Sequence, residues 1–532
     1  MNPSRPNFLF IISDQHRADH VGYAGNRVVK TPNLDRLAMS GTWFNRFYVS
    51  SPTCMSNRAT FMTGRMPSLN GVRYNGIPLE RSTVTFVDLL QAEGYRTGLI
   101  GKCHLQGMAT EPPQTPRPIV ALGAKPPPSE LSEARRSPYG PDDYSAEYIS
   151  AWKADPDRIA AVPANYYGFQ HVEFCSGHGD QVSGHYERWL RERAPANWDK
   201  RGPDHAIEGG RSGHPQIYRS AIPEEAYPTR YILERTKAFL EEAAKGEAPF
   251  FLQCSFPDPH HPFTPPGRYW DMYDPAEVQL PRSFSQANRR SVPPVAALWE
   301  DFEAGRASTR WTYPFVADEA QAREMVAKTY GQITMIDDAV GELIASLNEL
   351  GLAENTIICF MSDHGDYLGD HGLFLKGPMH YQSVIRTPFL WHDCDPTLAR
   401  GRVDAPASTL DIAVSVLERI GLAPYNGIQG RSLLEPASSE ARNLLIEQET
   451  QYPYLGFDRL ISVQTLLSDG WRLSVWEGQP WGELYDLNSD PDELMNRWDD
   501  PNCQELRSAL LLALINAIQG LRETSPFPLT VS

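Results

Sequence analysis

The sequence predicts an α/β protein, a mostly parallel sheet with helices on both faces, followed by a smaller α+β unit with an antiparallel sheet. Three patterns carry that reading. Four short apolar runs each end in polar residues suited to chemistry, helical periodicities lie between them, and beyond about residue 430 the pattern changes to short alternating strands with turn signals. Ligands of open α/β sheets bind beyond the carboxyl ends of the strands, so the four polar clusters are expected to converge on one edge.

The first run, NFLFII at 7–12, leads into Ser13, Asp14, Gln15 and His16. TGLI at 97–100 leads into Gly101, Lys102, Cys103 and His104, and FFLQCSF at 250–256 into Asp258, His260 and His261. TIICFM at 356–361 leads into Ser362, Asp363, His364 and Gly365. Between the runs, helical spacing links Phe86, Leu89 and Leu90 before Gly94, then Ile232, Thr236, Phe239, Leu240 and Ala243 before Gly246. A long helical pattern over 319–350 is closed by Gly351. Residues 107–222 are Pro-rich and aperiodic, which predicts a long insertion shaping a substrate entrance within a catalytic domain at 1–430. The stretch 281–314, with Trp299 and Trp311, has similar character. In the C-terminal subdomain, 431–532, the segments ISVQTLLSDG, WRLSVWEGQP and GELYDLNSDP predict antiparallel strands with Asp-Gly and Ser-Asp-Pro turns, followed by a helix at about 503–521 and an arm-like end, SPFPLTVS.

Composition narrows the function. The 532 residues carry a formal charge of −17, which favours neither a nucleic-acid backbone nor an anionic lipid surface, so an anionic substrate must be held by a local basic cluster. The apolar runs are strand length and fall far short of the roughly 20 residues of a membrane helix. The start, MNPSRPNFLFIISDQH, runs straight into the first strand with no cleavage-site pattern, and the expectation is a cytoplasmic protein. Seven scattered cysteines without a CxxC pair suit buried small hydrophobes better than a zinc or dithiol motif.

Asp14 and Gln15 on one strand end, with Asp363 and His364 on another, supply three oxygen donors and one imidazole that could meet around a divalent cation. By itself, an Asp-His pair followed by Gly is more often a turn; the matching strand end is what raises it to a candidate. Cys54 stands just before a predicted helix with Arg58 one turn along the same face. A helix N-terminus and a guanidinium both favour a tetrahedral oxyanion, so a nucleophile there would attack a sulfate, phosphate or phosphonate group.

The stretch CMSNRATFMTGR at 54–65 resembles the sulfatase signature Cys-x-Pro-x-Arg followed by Thr-Gly-Arg, in which the cysteine is converted to formylglycine. The likeness extends through TPNLDRLAMSG at 31–41, GKCHL at 101–105, PHHPF at 259–263, SDHGDYLGDHGLFLKG at 362–377 and ELYDLNSDPDELMN at 483–496. Together these resemble the sulfatase and phosphonate monoester hydrolase branch of the alkaline phosphatase superfamily, implying an alkaline-phosphatase-like fold. The resemblance implies Asp14, Gln15, Asp363 and His364 as ligands of one divalent metal, Ca²⁺ or Mn²⁺ with Mg²⁺ and Zn²⁺ as alternatives, and residue 54 as a nucleophile that also touches it. Arg58 would orient the nucleophile, Lys102 and His104 would contact the sulfuryl group, His260 and Lys376 would flank the leaving oxygen, and Asn75 would bind substrate. It also implies a formylglycine-generating enzyme as a maturation partner and a dimer or tetramer of the chain.

Two departures leave alternatives open. Ser56 stands where the signature has proline, so the unmodified Cys54 thiolate competes with formylglycine as nucleophile. Gln15 matches the phosphonate hydrolases, whereas Lys102 and His104 replace their neutral hydroxyl residues. The leading expectation is a metal-dependent hydrolase of sulfate monoesters; the alternatives are a phosphonate monoester or phosphodiester hydrolase on the same site, and a non-catalytic binding protein of the same fold.

Overall fold

The computed structural model of the protein describes residues 5–108, 144–155, 157–158, 162, 165–285, 292–308, 310, 312–395, 397–398, 400–434, 442–451 and 453–523. Trp311, the tail at 525–532 and much of the 107–222 range lie outside the described residues. The central sheet is built from β1 (Asn7–Ser13), β2 (Thr42–Phe44), β3 (Arg96–Gly101), β4 (His171–Ser176), β5 (Ser183–Gly184), β6 (Phe250–Ser255), β7 (Thr356–Ser362), β8 (Phe389–His392) and β9 (Gly401–Val403). Their spatial order is β9-β2-β8-β7-β1-β6-β3-β4-β5. The five strands from β7 to β4 run parallel, β8 is antiparallel to both its neighbours, and β5 is antiparallel to β4.

Every residue of β1 is buried, as a strand covered on both faces requires. The two-residue alternation divides its side chains. Phe8, Phe10 and Ile12 pack with Phe61, Phe86, Leu90, Ile412 and Val416, which lie on α1 (Cys54–Thr63), α2 (Phe86–Ala92) and, as the last two, on the helix Leu410–Arg419. On the opposite face Leu9 and Ile11 meet Ile232, Phe239 and Leu240 of α3 (Pro228–Ala243) and Ile336, Val340 and Leu343 of α4 (Glu319–Glu349). Each such side chain, fully removed from water, contributes about 1.5–3 kcal/mol. α2 and α4 begin with capping boxes, Thr85 with Asp88 and Asp318 with Gln321, which satisfy amide groups that a helix start leaves free.

The helix Leu410–Arg419 is α5. The C-terminal sheet follows, with β10 (Leu444–Glu449), β11 (Ser462–Ser468), β12 (Trp471–Trp476) and β13 (Gly482–Asp486) antiparallel in that order. The Asp-Gly turn joins β11 to β12 with positive φ at both Asp469 and Gly470, the hairpin geometry this dipeptide favours. Leu466, Leu473 and Leu484 take Leu510 and Leu514 of α6 (Gln504–Gly520), while Val463, Trp476 and Tyr485 on the other face pack with Tyr381 and Val384 of the larger unit.

Two sequence expectations change. The 107–222 range holds β4, a strand of the central sheet that the surrounding Pro, Gly and charge conceal. Trp299, expected near the entrance, is buried in the core and donates its indole N–H to the carbonyl of His371 at 3.1 Å. No helix among the described residues is long and apolar enough to cross a membrane.

Gly101 ends β3 at φ +105°, and a Cβ there would stand 1.9 Å from the carbonyl oxygen of Ser255 on β6. Gly101→Ala is therefore expected to lower unfolding free energy by about 3 kcal/mol, combining overpacking against rigid backbone with the left-handed conformation. The check is the denaturation midpoint compared with Gly94→Ala, where φ is +85° but the space is open. Equal losses for the two would refute the steric account.

Candidate active site

The site forms where β1 and β7 end together. Ser13 pairs with Ser362 in the parallel register, and the amide of Asp363 donates to the Ser13 carbonyl at 3.3 Å, so Asp14 and Asp363 emerge side by side. Both carboxylates are buried. Gln15 adopts φ +64°, turning the chain sharply after the strand, and its amide donates to Asp363 Oδ1 at 3.2 Å. Its side-chain nitrogen reaches Asp366 and, at 3.1 Å, His261 Nδ1; its Oε1 lies 3.2 Å from Lys376 Nζ.

Cys54 is the first residue of α1. Asn57, within the same turn, donates to the Asp363 carbonyl at 2.7 Å and accepts from the Ser50 amide at 3.0 Å, which fixes the helix start against β7. Arg58 follows on the same face and donates from Nε to Asp363 Oδ2 at 2.7 Å and from Nη1 to the Lys102 carbonyl at 2.9 Å and Ser255 Oγ at 3.0 Å. Its buried Nη2 makes no hydrogen bond and lies 3.8 Å from Asp14 Oδ2. Asn75 lines the cleft, but its carbonyl oxygen accepts from the Met55 amide at 3.1 Å and so caps one of the helix's free N–H groups.

Lys376 Nζ stands 3.0 Å from Cys54 Sγ, 2.9 Å from His364 Nε2 and 3.3 Å from His260 Nε2. Lys102 Nζ pairs with Asp14 Oδ2 and lies 2.7 Å from His178 Nε2. His104, at φ +58°, faces the same cleft of about 230 Å³. All eleven sequence-derived candidates thus surround one place: Asp14, Gln15, Cys54, Arg58, Asn75, Lys102, His104, His260, Asp363, His364 and Lys376.

The electrostatics follow from burial acting against charge. Burial alone would raise the Cys54 thiol, but Lys376, His364 and Lys102 outweigh it and hold the thiol well below its ordinary range. For Asp14 the same contest, burial against Lys102, His260 and His178, ends with the carboxyl well below the usual carboxylate range. Burial pushes His260 and His104 well below the ordinary imidazole range, with His178, His261 and Lys376 adding to it at His260 and Lys102 and Arg58 at His104. Lys376 is pushed down by burial yet ends above the ordinary lysine value because Cys54 and Asp14 stabilise its charge.

Three participants escape the sequence reading. His178 stacks on His260 with ring centroids 3.6 Å apart and approaches Asp14 at 3.7 Å. It follows β4 as the other clusters follow their strands, so the same strand-end signal marks it once β4 is recognised. Glu147, buried beneath the 102–106 loop, and Asn57 carry no such signal. The C-terminal share of the lining is also unexpected: Gln448, Glu449, Thr450, Gln451 and Tyr454, at and beyond the end of β10, line the cleft with Cys54, together with Tyr74 and Thr312.

The donor set fits a divalent cation. One ligand atom each from Asp14, Cys54, Asp363 and His364 lies within 4.8 Å of the others, and the buried Asp14 Oδ1 has no hydrogen-bond partner. Asp14→Ala and Asp363→Ala are each expected to abolish retention of the cation, measured by elemental analysis of purified protein. Stoichiometric metal in both variants would rule this set out.

Comparison with known proteins identifies the family and the fold. A sulfatase family model matches residues 6–422, and a model of the C-terminal part of N-sulphoglucosamine sulphohydrolase matches 369–520. An arylsulfatase of Clostridium perfringens is 27% identical over 98% of this chain and 95% of its own length. A choline-sulfatase of Rhizobium meliloti is 25% identical over 94% of this chain and 84% of its own. Among solved structures, the phosphonate monoester hydrolase of Agrobacterium radiobacter shares the fold, with a TM-score of 0.73, 22% identity and coverage of 99% of this chain and 98% of that one. Because the family match runs from the first core strand through α5 and takes in all eleven candidate residues, the chain belongs to the sulfatase family.

Proposed function

We propose that this protein hydrolyses sulfate monoesters with residue 54 as the nucleophile. The observation that carries the reading is the convergence of Arg58, Lys102 and Lys376 on Cys54 at a helix N-terminus. A sulfuryl group in transfer, with negative charge on its oxygens and growing on the leaving oxygen, would meet fixed positive charge there, and preorganised charge of this kind supplies most of the rate in such reactions. A divalent cation held by Asp14, Gln15, Asp363, His364 and residue 54 would add Lewis-acid stabilisation of the same oxygens. Oxidised to formylglycine and hydrated to the geminal diol, residue 54 would present one hydroxyl as nucleophile and keep a second whose deprotonation can expel sulfate and regenerate the aldehyde, whereas a thiolate adduct must be opened by water.

The remaining residues divide the proton and charge work. Arg58 Nη2, buried and without a hydrogen-bond partner, is available to the nucleophilic or ester oxygen. His104 is neutral with an unpartnered Nδ1 and suits a base toward the hydroxyl at position 54. His260 Nε2 lies 3.3 Å from Lys376 Nζ, close enough for the pair to share a proton and deliver it to the leaving oxygen together. Seven free cysteines support a reducing, cytoplasmic setting.

A second reading, hydrolysis of phosphonate monoesters or phosphodiesters, is favoured by Gln15, which lowers the negative charge of the cation site by one relative to a second aspartate. The deciding experiment is kcat/KM on aryl sulfate, aryl phosphonate and aryl phosphodiester with added Mn²⁺ or Ca²⁺. Sulfate is expected to be turned over best; a phosphonate or diester preference of several orders installs the second reading, and turnover of none supports a binding protein.

Ser56, buried within α1, makes conversion of Cys54 the point to measure. Partial, host-dependent conversion is expected, seen as a loss of about 18 Da on the dehydrated tryptic peptide containing residue 54. A wholly unmodified peptide from fully active enzyme would leave the thiolate as nucleophile. Cys54→Ser separates the two further, because a serine can be sulfated once but cannot eliminate.

A further inference from the structure

Glu147 comes from the 107–222 range, is 1% exposed, and has its charge met by backbone. The amide of His104 donates to its Oε2, while the amides of Leu105 and Gln106 donate to its Oε1 at 3.0 and 2.9 Å. Three successive N–H groups converging on one anion form a nest closed by a carboxylate of the chain itself. The phenol of Tyr166 adds a fourth donor at 2.7 Å, and Gln106 returns the contact by accepting from the Ala146 amide at 3.1 Å.

The segment so held includes a conformation that needs holding. His104 sits at φ +58°, in the left-handed region that costs a non-glycine residue about 1 kcal/mol or more and persists only where the surroundings over-determine it. The loop is pinned before it by the Lys102 amide to the Ser255 carbonyl, 2.9 Å, and after it by the Leu105 carbonyl to the Leu79 amide, 2.9 Å. Those two bonds fix the ends but leave the turn at residue 104 to the nest. The imidazole emerging from this turn lines the cleft beside Cys54.

We infer that Glu147 is a positioning residue: by closing the amide nest at 104–106 it holds His104 in the left-handed turn that aims its imidazole into the cleft. Its effect on turnover rests on the ester-hydrolase reading above, with His104 as the group acted through. A glutamine at 147 keeps the shape but supplies a single acceptor and brings its own N–H₂ against the amides, so the nest opens while the core beneath stays filled.

The test is a double-mutant cycle on the metal-loaded enzyme, using the best aryl ester found above. Glu147→Gln is expected to lower kcat by about 10- to 100-fold, the scale of a misplaced catalytic group, with KM nearly unchanged. Tyr166→Phe, which removes one donor and keeps the charge, should cause a smaller loss in the same direction. In a His104→Ala background Glu147→Gln should have no further effect on kcat, because the group it positions is gone. If instead it costs the same factor there as in wild type, Glu147 is merely structural and the inference fails.

A second readout is independent of turnover. In protein labelled with ¹³C-histidine, the imidazole signal that disappears in His104→Ala should shift or broaden in Glu147→Gln while the other signals keep their places; an unmoved His104 signal overturns the inference. Wild type inactive on every ester would count against the functional reading alone, since the histidine signal still reports positioning. Should Glu147→Gln fail to fold, Tyr166→Phe takes its place in both measurements, and the same signal and the same non-additivity decide.

Discussion

Asp14 and Asp363 lie buried at the ends of neighbouring strands, and the centre of the molecule is organised around offsetting their charge. A carboxylate moved from water into a protein interior is tolerated only when paired and hydrogen-bonded. Arg58 pairs with Asp363, Lys102 with Asp14, and the amide of Gln15 adds a donor to Asp363. Once those cations are present for the carboxylates they are also present for a substrate. Together with Lys376 they give an overall acidic protein three cations at one cleft.

The same convergence dictates the backbone. Gln15, His104 and Leu375 all have positive φ, and each is a site residue or the neighbour of one. A strand that simply continued would carry its side chains away from the sheet edge; a left-handed residue folds the chain back over that edge within one step. The cost is met by rigid surroundings: the β-ladder behind Gln15 and the amide nest behind His104.

The cleft is completed from two segments that look peripheral in the chain. The 107–222 range supplies Glu147 behind the 104–106 amides and His178 in the lining, and the C-terminal sheet supplies Gln448 and Glu449, with Thr450 and Tyr454 following, as a further wall. Packing of Val463, Trp476 and Tyr485 against Tyr381 and Val384 is what holds that wall in place. Part of the cleft lining is therefore remote in sequence from the strand ends that carry Asp14 and Asp363.

The sequence by itself determined the parallel core, the helices over 86–92, 228–243 and 319–349 and the Asp-Gly hairpin, because each rests on a local signal: an apolar run, a 3.6-residue period or a turn dipeptide. Polar side chains beyond strand ends marked Asp14, Gln15, Lys102, His104, His260, Asp363 and His364, and helical spacing marked Cys54 with Arg58, whereas Asn75 and Lys376 came only from the family resemblance. Tertiary structure decided what local signals cannot encode. β4 was hidden because its partner, β3, is distant in sequence and its flanks are rich in Pro and Gly; with it went His178. Packing settled that Trp299 belongs to the core, and it gave Asn75 a second task, since its carbonyl accepts from the Met55 amide while the residue lines the cleft. Glu147 was invisible for the same reason: a carboxylate acquires its role only when three amides from another segment turn toward it, and which amides a fold leaves without partners is settled by the whole chain.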